Sequence, residues 1–249
     1  MEHRPQKAQR PKFSAELMDL LAQGRMADYH LVPTGSNYTF YATVSDGIQG
    51  QRRVVYKPQS GETPLWDFPA GTLYLREYAA YLLSEAMGCG FVPPTVIREG
   101  VYGIGSVQLF VESDPAANYF TLRDAYREQM LRLCAFDVIA NNADRKASHC
   151  LLGLEGCIWA IDHGITFHSQ PKLRTVIWDF AGDRVPEPAL KDSSHLMERF
   201  PEPGGMGEQL APLLSASEVE ALCRRGQALL KSGRFPFPGP RRSVPWPFV

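Results

Sequence analysis

NNADRKASHCLL, residues 141–152, sets an acid, two bases and a histidine directly ahead of an apolar pair. Just upstream, residues 131–140 are apolar nearly all round apart from Arg132 and Asp137, the pattern of a helix in the middle of a core. Thr121 with Asp124 offers a variant capping box ahead of it. An unpaired carboxylate at Asp137, among Phe136, Val138 and Ile139, would be very costly, so Asp137 is expected to bond to nearby backbone or a base and to be structural. Just downstream, HCLLG reads as a short strand, residues 153–156 as a turn, and CIWAIDHG as a second apolar strand ending in Asp-His-Gly. A hairpin returns its ends to one place, so Asp144 and Asp162 are expected to face a single site although eighteen residues separate them. Phosphoryl transfer needs that arrangement: one carboxylate orients the attacking hydroxyl, another holds a divalent cation on the phosphates, and fixed cations absorb charge. Lys146 places a cation beside the first acid.

Residues 27–58 change to strand patterning. DYHLVP, YTFYATVS and RRVVYKP are rich in β-branched and aromatic residues and are separated by turn signals. PTVIRE and GSVQLFVES add two more, giving an antiparallel sheet of about five strands. Between them LYLREYAAYLLSEAM, residues 73–87, has helical spacing and stops at Gly88, so one helix packs on the sheet. Lys57 ends the third strand and Glu77 lies on that helix. At about 4 Å and an effective dielectric near 20 the two would attract by roughly 4 kcal/mol before desolvation, enough to hold the lysine ready for a phosphate. Gly35, Ser36 and Asn37, in the loop between the first two strands, could lend amides to phosphates, but alone they are a weak signal that an ordinary hairpin turn explains better. Singly, each piece has a plain reading: Lys57 as a solvated strand end, Glu77 as half of a surface pair, Asp162 as the acid of an Asp-x-Gly turn. Their order along the chain is what chance seldom produces.

The 249 residues are 44% hydrophobic and 21% charged, a composition that supports a packed core. With 26 basic and 27 acidic residues the net charge is -1, which offers no field for nucleic acid or an anionic membrane. Cys89, Cys134, Cys150, Cys157 and Cys223 have no metal-like spacing and read as reduced core thiols. The sequence has no signal-like stretch and no run of ~20 apolar residues, so no stable membrane insertion and a cytoplasmic location are expected. Residues 1–12 read as a disordered basic arm, 13–113 as a sheet-plus-helix lobe, 114–234 as a helical lobe, and 235–249 as a Pro/aromatic strap. Ser14 is expected to cap a short helix to about Gln23, and Ser217 with Glu220 to box a helix to about Ser232.

VVYKP, LREYAAYLL, FDVIANNADRKASHCLL and IWAIDHGITF together resemble the phosphatidylinositol 3- and 4-kinase-like branch of the kinase fold, especially type II phosphatidylinositol 4-kinases and small bacterial proteins related to them. The resemblance spans roughly residues 27–180. It implies an α+β, bilobal protein-kinase-like fold with ATP and Mg²⁺ or Mn²⁺ in the cleft. By position, Asp144 corresponds to the catalytic aspartate, Asp162 to the metal ligand, Lys57 to the phosphate lysine and Glu77 to its partner. LFVES, with Phe110, Val111 and Glu112, resembles the hinge that meets adenine. One departure stands out: the family carries a metal-binding asparagine five residues after its catalytic aspartate, and here that residue is His149. A neutral imidazole suits Mn²⁺ or Zn²⁺ better than Mg²⁺. His163 reads as a packing or turn residue, with His168 open between the two roles.

The leading expectation is an ATP-dependent phosphotransferase acting on a hydroxyl acceptor, whether lipid, protein or small molecule. A nucleotide-binding pseudokinase is the alternative, resting on His149. A non-enzymatic scaffold with a partner-binding tail explains none of the central residues.

Overall fold

The computed structural model describes residues 11, 13–33, 35–47, 50–240 and 242–249. The arm expected over residues 1–12 lies outside them, Pro11 apart.

Strands β1 (Arg25–Leu31), β2 (Phe40–Ser45), β3 (Gln51–Pro58), β4 (Thr95–Gly100) and β5 (Gly103–Leu109) form one antiparallel sheet in the order β1-β2-β3-β5-β4. Alternation along FYATVS turns Phe40, Ala42 and Val44 inward. There they meet Val54, Tyr56, Val96 and Val107. Helix α1 (Ala15–Gln23) covers this cluster with Leu20 and Leu21, whose burial contributes about 1.5–3 kcal/mol each. Ser14 caps it as expected, its hydroxyl accepting from the Leu17 amide at 3.4 Å. At Gly24 a Cβ would lie 2.6 Å from the Leu20 carbonyl oxygen and 2.7 Å from Val44 Cγ2, so only glycine lets the helix turn directly into β1.

Helix α2 (Leu73–Ala86) touches β4 and β5, while Ala79, Ala80 and Leu83 join the core of the second lobe. That lobe comprises α3 (Tyr119–Leu122), α4 (Arg127–Ala140), the hairpin of β6 (Cys150–Leu152) and β7 (Ile158–Ala160), α5 (Glu187–Arg199), α6 (Met206–Leu210) and α7 (Ala216–Ser232). The α4 residues Met130, Leu133, Phe136 and Ile139 are fully buried at its centre.

Two capping expectations are corrected. Thr121 is not an N-cap; it is the third residue of a box capped by Asn118, whose Oδ1 accepts from the Phe120 amide at 3.0 Å, and the core helix begins separately at Arg127. Downstream, the box is Ser215 with Glu218, two residues ahead of the Ser217 and Glu220 pairing. Both pairs have box spacing, and the tie is broken across the molecule. Glu218 Oε1 accepts from Arg76 Nη2 on α2 at 2.7 Å while Oε2 accepts from the Ser215 amide at 3.0 Å.

Cys89, Cys134, Cys150 and Cys157 are buried and Cys223 is partly exposed, and none of the five forms a disulfide among the described residues. No helix among the described residues is long and apolar enough to cross a membrane. The tail lies on the body, but mainly through its backbone. The Ser243 carbonyl accepts from the Thr175 amide (3.0 Å) and Trp178 Nε1 (2.8 Å), and the Phe248 carbonyl accepts from the Ala147 amide (2.9 Å). Phe235 is buried, whereas Phe237 and Trp246 are exposed.

Candidate active site

The C-cap of α4, Asn141, adopts a left-handed conformation (φ 52°) and turns the chain out of the core. Its side-chain amide donates to the carbonyls of His168 (2.8 Å) and Gln170 (2.7 Å), and its Oδ1 accepts from the Lys172 amide (2.9 Å). Asp144 follows three residues later, held at its amide by Asn142 Oδ1 at 3.0 Å. The hairpin pairs Cys150 with Ala160, and Asp162 leaves it at φ 62°, also left-handed. Donor atoms of Asp144, His149 and Asp162 thereby come within 4.8 Å of one another.

Arg145 fixes this geometry from beneath. It is fully buried and grips Asp137 at two points, Nε to Oδ2 and Nη2 to Oδ1, each 2.9 Å. Its Nη1 reaches the carbonyls of Ile161 (3.0 Å) and His149 (3.3 Å), and Nη2 meets His163 Nε2 at 2.7 Å. Since guanidinium only donates, His163 Nε2 accepts and its proton sits on Nδ1, which is buried without a partner among the described residues. Asp137 is thus structural and paired with a base, as its apolar surroundings required. Arg145 was missed as the connecting element, although a buried acid eight residues upstream was itself a demand for a buried cation. His163 packs against Phe136 and stands outside the Asp144, His149 and Asp162 cluster. His168 is structural, its ring nitrogens engaged by the Asp67 carbonyl (2.9 Å) and the Gln170 amide (3.0 Å).

From the other lobe, Lys57 Nζ bonds to Glu77 Oε1 and lies 2.9 Å from Asp162 Oδ1. Glu77 Oε2 accepts from the His163 amide at 2.9 Å, so α2 is tied directly to Asp-His-Gly. His149 Nε2 is 3.3 Å from Asp162 Oδ2, and Lys146 Nζ is 3.3 Å from Asp144 Oδ2.

These contacts drive the two acids apart. Burial pushes the Asp144 carboxyl up to about 6, with the Asp162 charge adding to burial and Lys146 opposing it. The Lys57 ammonium, 2.9 Å away, holds the half-exposed Asp162 carboxyl well below the usual carboxylate range. Burial lowers the His149 imidazole to about 4, Asp162 only partly offsetting it, so the ring is neutral near pH 7. Burial opposes the Lys57 charge, but Asp162 and Glu77 outweigh it and hold the ammonium above its ordinary value. Two carboxylates and a neutral imidazole are a fitting donor set for a divalent cation. Two ligands at right angles around an ion at about 2.1 Å stand about 3 Å apart, close to the separation of His149 and Asp162.

The remaining predicted residues belong to two other segments. Phe110 donates its amide to the Arg53 carbonyl (3.0 Å), and the Glu112 carbonyl accepts from the Leu154 amide (3.2 Å), so the segment bridges β3 and the β6–β7 turn. The Glu112 carboxylate pairs with Arg53, whose guanidinium lies 3.9 Å from the Phe110 ring centroid. Between them Val111 has no backbone partner among the described residues, leaving its amide and carbonyl available. Gly35 sits at φ 111°, the Ser36 carbonyl accepts from Thr63 Oγ1, and Asn37 Oδ1 accepts from the Thr63 amide at 2.7 Å. These bonds fasten the loop to the segment after β3; the structure records no bond from residues 35–37 to Lys57, Asp144 or Asp162.

A five-stranded antiparallel lobe set over a helical lobe, with a lysine-glutamate pair facing two aspartates, defines a kinase-like fold. Residues 70–224 match the phosphatidylinositol 3- and 4-kinase family, and the chain belongs to it. Protein Rv2133c of Mycobacterium tuberculosis is 36% identical over 263 residues, covering 92% of this chain and 94% of its own. Among solved structures, hydra Fam20 with sugar overlays with a TM-score of 0.57 at 14% identity, covering 87% of this chain and 88% of its own. The Golgi casein kinase with Mn/ADP bound gives 0.53 at 17% (88% and 74% covered), and the Helicobacter pylori proinflammatory kinase CtkA gives 0.51 at 12% (86% and 94%). At these identities the structural likenesses speak for the fold.

Proposed function

We propose that the chain is an ATP-dependent phosphotransferase that moves the γ-phosphate to a hydroxyl acceptor. The observation that carries this reading is the pair of carboxylates around one hairpin, Asp144 raised to about 6 and Asp162 held fully ionised, because a phosphoryl-transfer site needs a proton acceptor beside a permanent anion. Family membership and a neighbour of the same fold that holds Mn/ADP support it.

In this reading the acceptor oxygen attacks the γ-phosphorus, the bond to the β–γ bridging oxygen breaks, ADP leaves, and the hydroxyl proton passes to Asp144. Lys146 holds the Asp144 carboxylate in place. Lys57, released from Asp162, contacts the nucleotide phosphates while Glu77 keeps it on station. Asp162 and His149 would hold Mg²⁺ or Mn²⁺, which when bound neutralises phosphate charge. The backbone of Phe110, Val111 and Glu112 meets adenine, and the amides of Gly35, Ser36 and Asn37 cover the phosphates. The acceptor class stays open among lipid, protein and small molecule.

Labelled ATP incubated with the protein and a cell lysate tests the reading. Label should enter an acceptor with the parent and not with Asp144→Asn, while both bind nucleotide. Nucleotide binding without any transfer by the parent would favour the pseudokinase alternative, which rests on the imidazole at position 149.

A further inference from the structure

A pocket of about 860 Å³, the size of a small-molecule site, lies between α7, residues 170–174 and the tail. None of the residues assigned above to nucleotide, metal or transfer lines it. Its walls combine two chemistries. Leu173, Trp178, Leu229, Phe235 and Phe237 give an apolar surface, and around them stand Lys172, Arg174, Arg225, Arg234 and Arg242, with no acid in the lining. Lys172 is neutralised by Asp67 at 2.6 Å. Among the described residues the four arginines have no carboxylate at ion-pair distance, and the side chains of Arg234 and Arg242 reach only the carbonyls of Gly182 (2.7 Å) and Val244 (3.1 Å).

Arg225 makes the case sharper. Its Nε donates to the Ile139 carbonyl at 2.9 Å and its Nη1 to that of His168 at 3.2 Å, but Nη2 is shut off from water with no acceptor among the described residues. Burial, with Arg224 nearby, lowers its pKa to about 10. A desolvated guanidinium nitrogen without an acceptor is costly, and so are like charges gathered without a counter-charge; an anion in the pocket offsets the second, and a turn of the half-buried Arg225 guanidinium towards it offsets the first.

We propose that this pocket binds an amphipathic anion, a phosphate or comparable oxyanion group on an apolar body, with Arg174 and Arg225 engaging the anion and the aromatic wall receiving the rest. Such a ligand would sit against the stretch of chain that clasps the catalytic loop, since the Arg174 amide donates to the Asn142 carbonyl (2.9 Å) and the Arg174 carbonyl accepts from the Arg145 amide (3.0 Å). The phosphate could arrive on a soluble molecule or in a lipid headgroup.

Calorimetric titration of the full chain without nucleotide separates this proposal from the phosphotransfer reading. Dodecyl phosphate below its micelle concentration should bind at least tenfold more tightly than inorganic phosphate or dodecanol. Arg174→Gln, a side chain with no hydrogen bond among the described residues, should weaken it tenfold or more with an unchanged circular dichroism spectrum; Arg225→Met should do the same if it folds. Sedimentation with vesicles containing phosphatidic acid identifies the source: binding there and in solution supports a lipid ligand, and binding in solution alone supports a soluble one. Dodecanol binding as tightly as dodecyl phosphate, affinity unchanged in Arg174→Gln, or no binding in either arm overturns the proposal.

Discussion

Asp162 has Lys57 on one oxygen and His149 facing the other, whereas among the described residues the partly buried Asp144 carboxylate has Lys146 alone at ion-pair distance. Asn at position 162 keeps the shape and removes the charge, so Asp162→Asn should reduce the metal-dependent part of nucleotide affinity by ~100-fold, about 2.7 kcal/mol, read by titrating nucleotide with and without Mn²⁺. A metal-dependent gain in Asp162→Asn equal to the parent's would remove Asp162 from the ion. His149→Asn should shift the preference from Mn²⁺ towards Mg²⁺ in the same titration; an unchanged preference leaves the imidazole as a packing group. Protonation gives a third test. A buried neutral histidine costs stability as pH falls below its unfolded value, because only the unfolded chain then takes up the proton. Both His149 and His163 act in this direction, while Asp144, raised to about 6, acts in the opposite one below that pH. His149 and Asp144 span similar windows and roughly cancel, leaving His163, held far below its ordinary value by burial and by Arg145, to set the slope at up to about 1.4 kcal/mol per pH unit below pH 6.5. Denaturant unfolding at pH 8, 6 and 5 should show this loss in the parent and not in His163→Gln.

At the level of elements, α2 and α7 meet through Arg76 and Glu218, both almost fully buried, with Arg76 also reaching the Thr166 carbonyl at 2.7 Å. Glu218→Gln leaves an unpaired guanidinium and weakens the helix cap, so it should cost about 3–5 kcal/mol by denaturant unfolding at pH 7. Burial raises the Glu218 carboxyl, but Arg76 and the Ser215 bonds outweigh it, and the folded value lies below 4.5. Its contribution is therefore present above pH 4.5 and lost as pH falls through the folded value, and the variant should not share that acid loss. This pair also shows how far the sequence could be read. The five strands, the helix after Thr72 and the hairpin carrying Asp144 and Asp162 follow from local periodicity and turn residues, which act over a few positions. The choice between Ser215 and Ser217 as cap depended on Arg76, more than a hundred residues away in the chain, and no local pattern carries that. Arg145 was hidden for the same reason. Next to Asp144 it reads as a loop charge, and only the packed helix shows it turned inward to Asp137. The meeting of Lys57, Glu77, Asp144 and Asp162 was legible because Lys57 and Glu77 lie on elements whose type the pattern gave, and Asp144 and Asp162 lie in the short segments that flank one hairpin.

Across the whole molecule, the segments that carry Asp144, His149 and Asp162 are met by parts far apart in sequence: Lys57 and Glu77 from the sheet and α2, and the tail, whose Phe248 carbonyl accepts from the Ala147 amide. Deleting residues 243–249 removes the acceptors of the Thr175 and Ala147 amides and of the Trp178 indole, at about 1 kcal/mol each. Amide hydrogen exchange of residues 144–149 should quicken markedly in the truncated protein while the α4 core stays protected; unchanged protection would make the tail a passive passenger. The same bond sets an order of events during synthesis. Ala147 leaves the ribosome roughly a hundred residues before Phe248, so at ordinary translation speeds the nascent loop waits on the order of 5–20 s with its amide unclaimed. A chain still being made carries the Asp144 loop without this bond, and the loop is fastened there only once residue 248 has been translated.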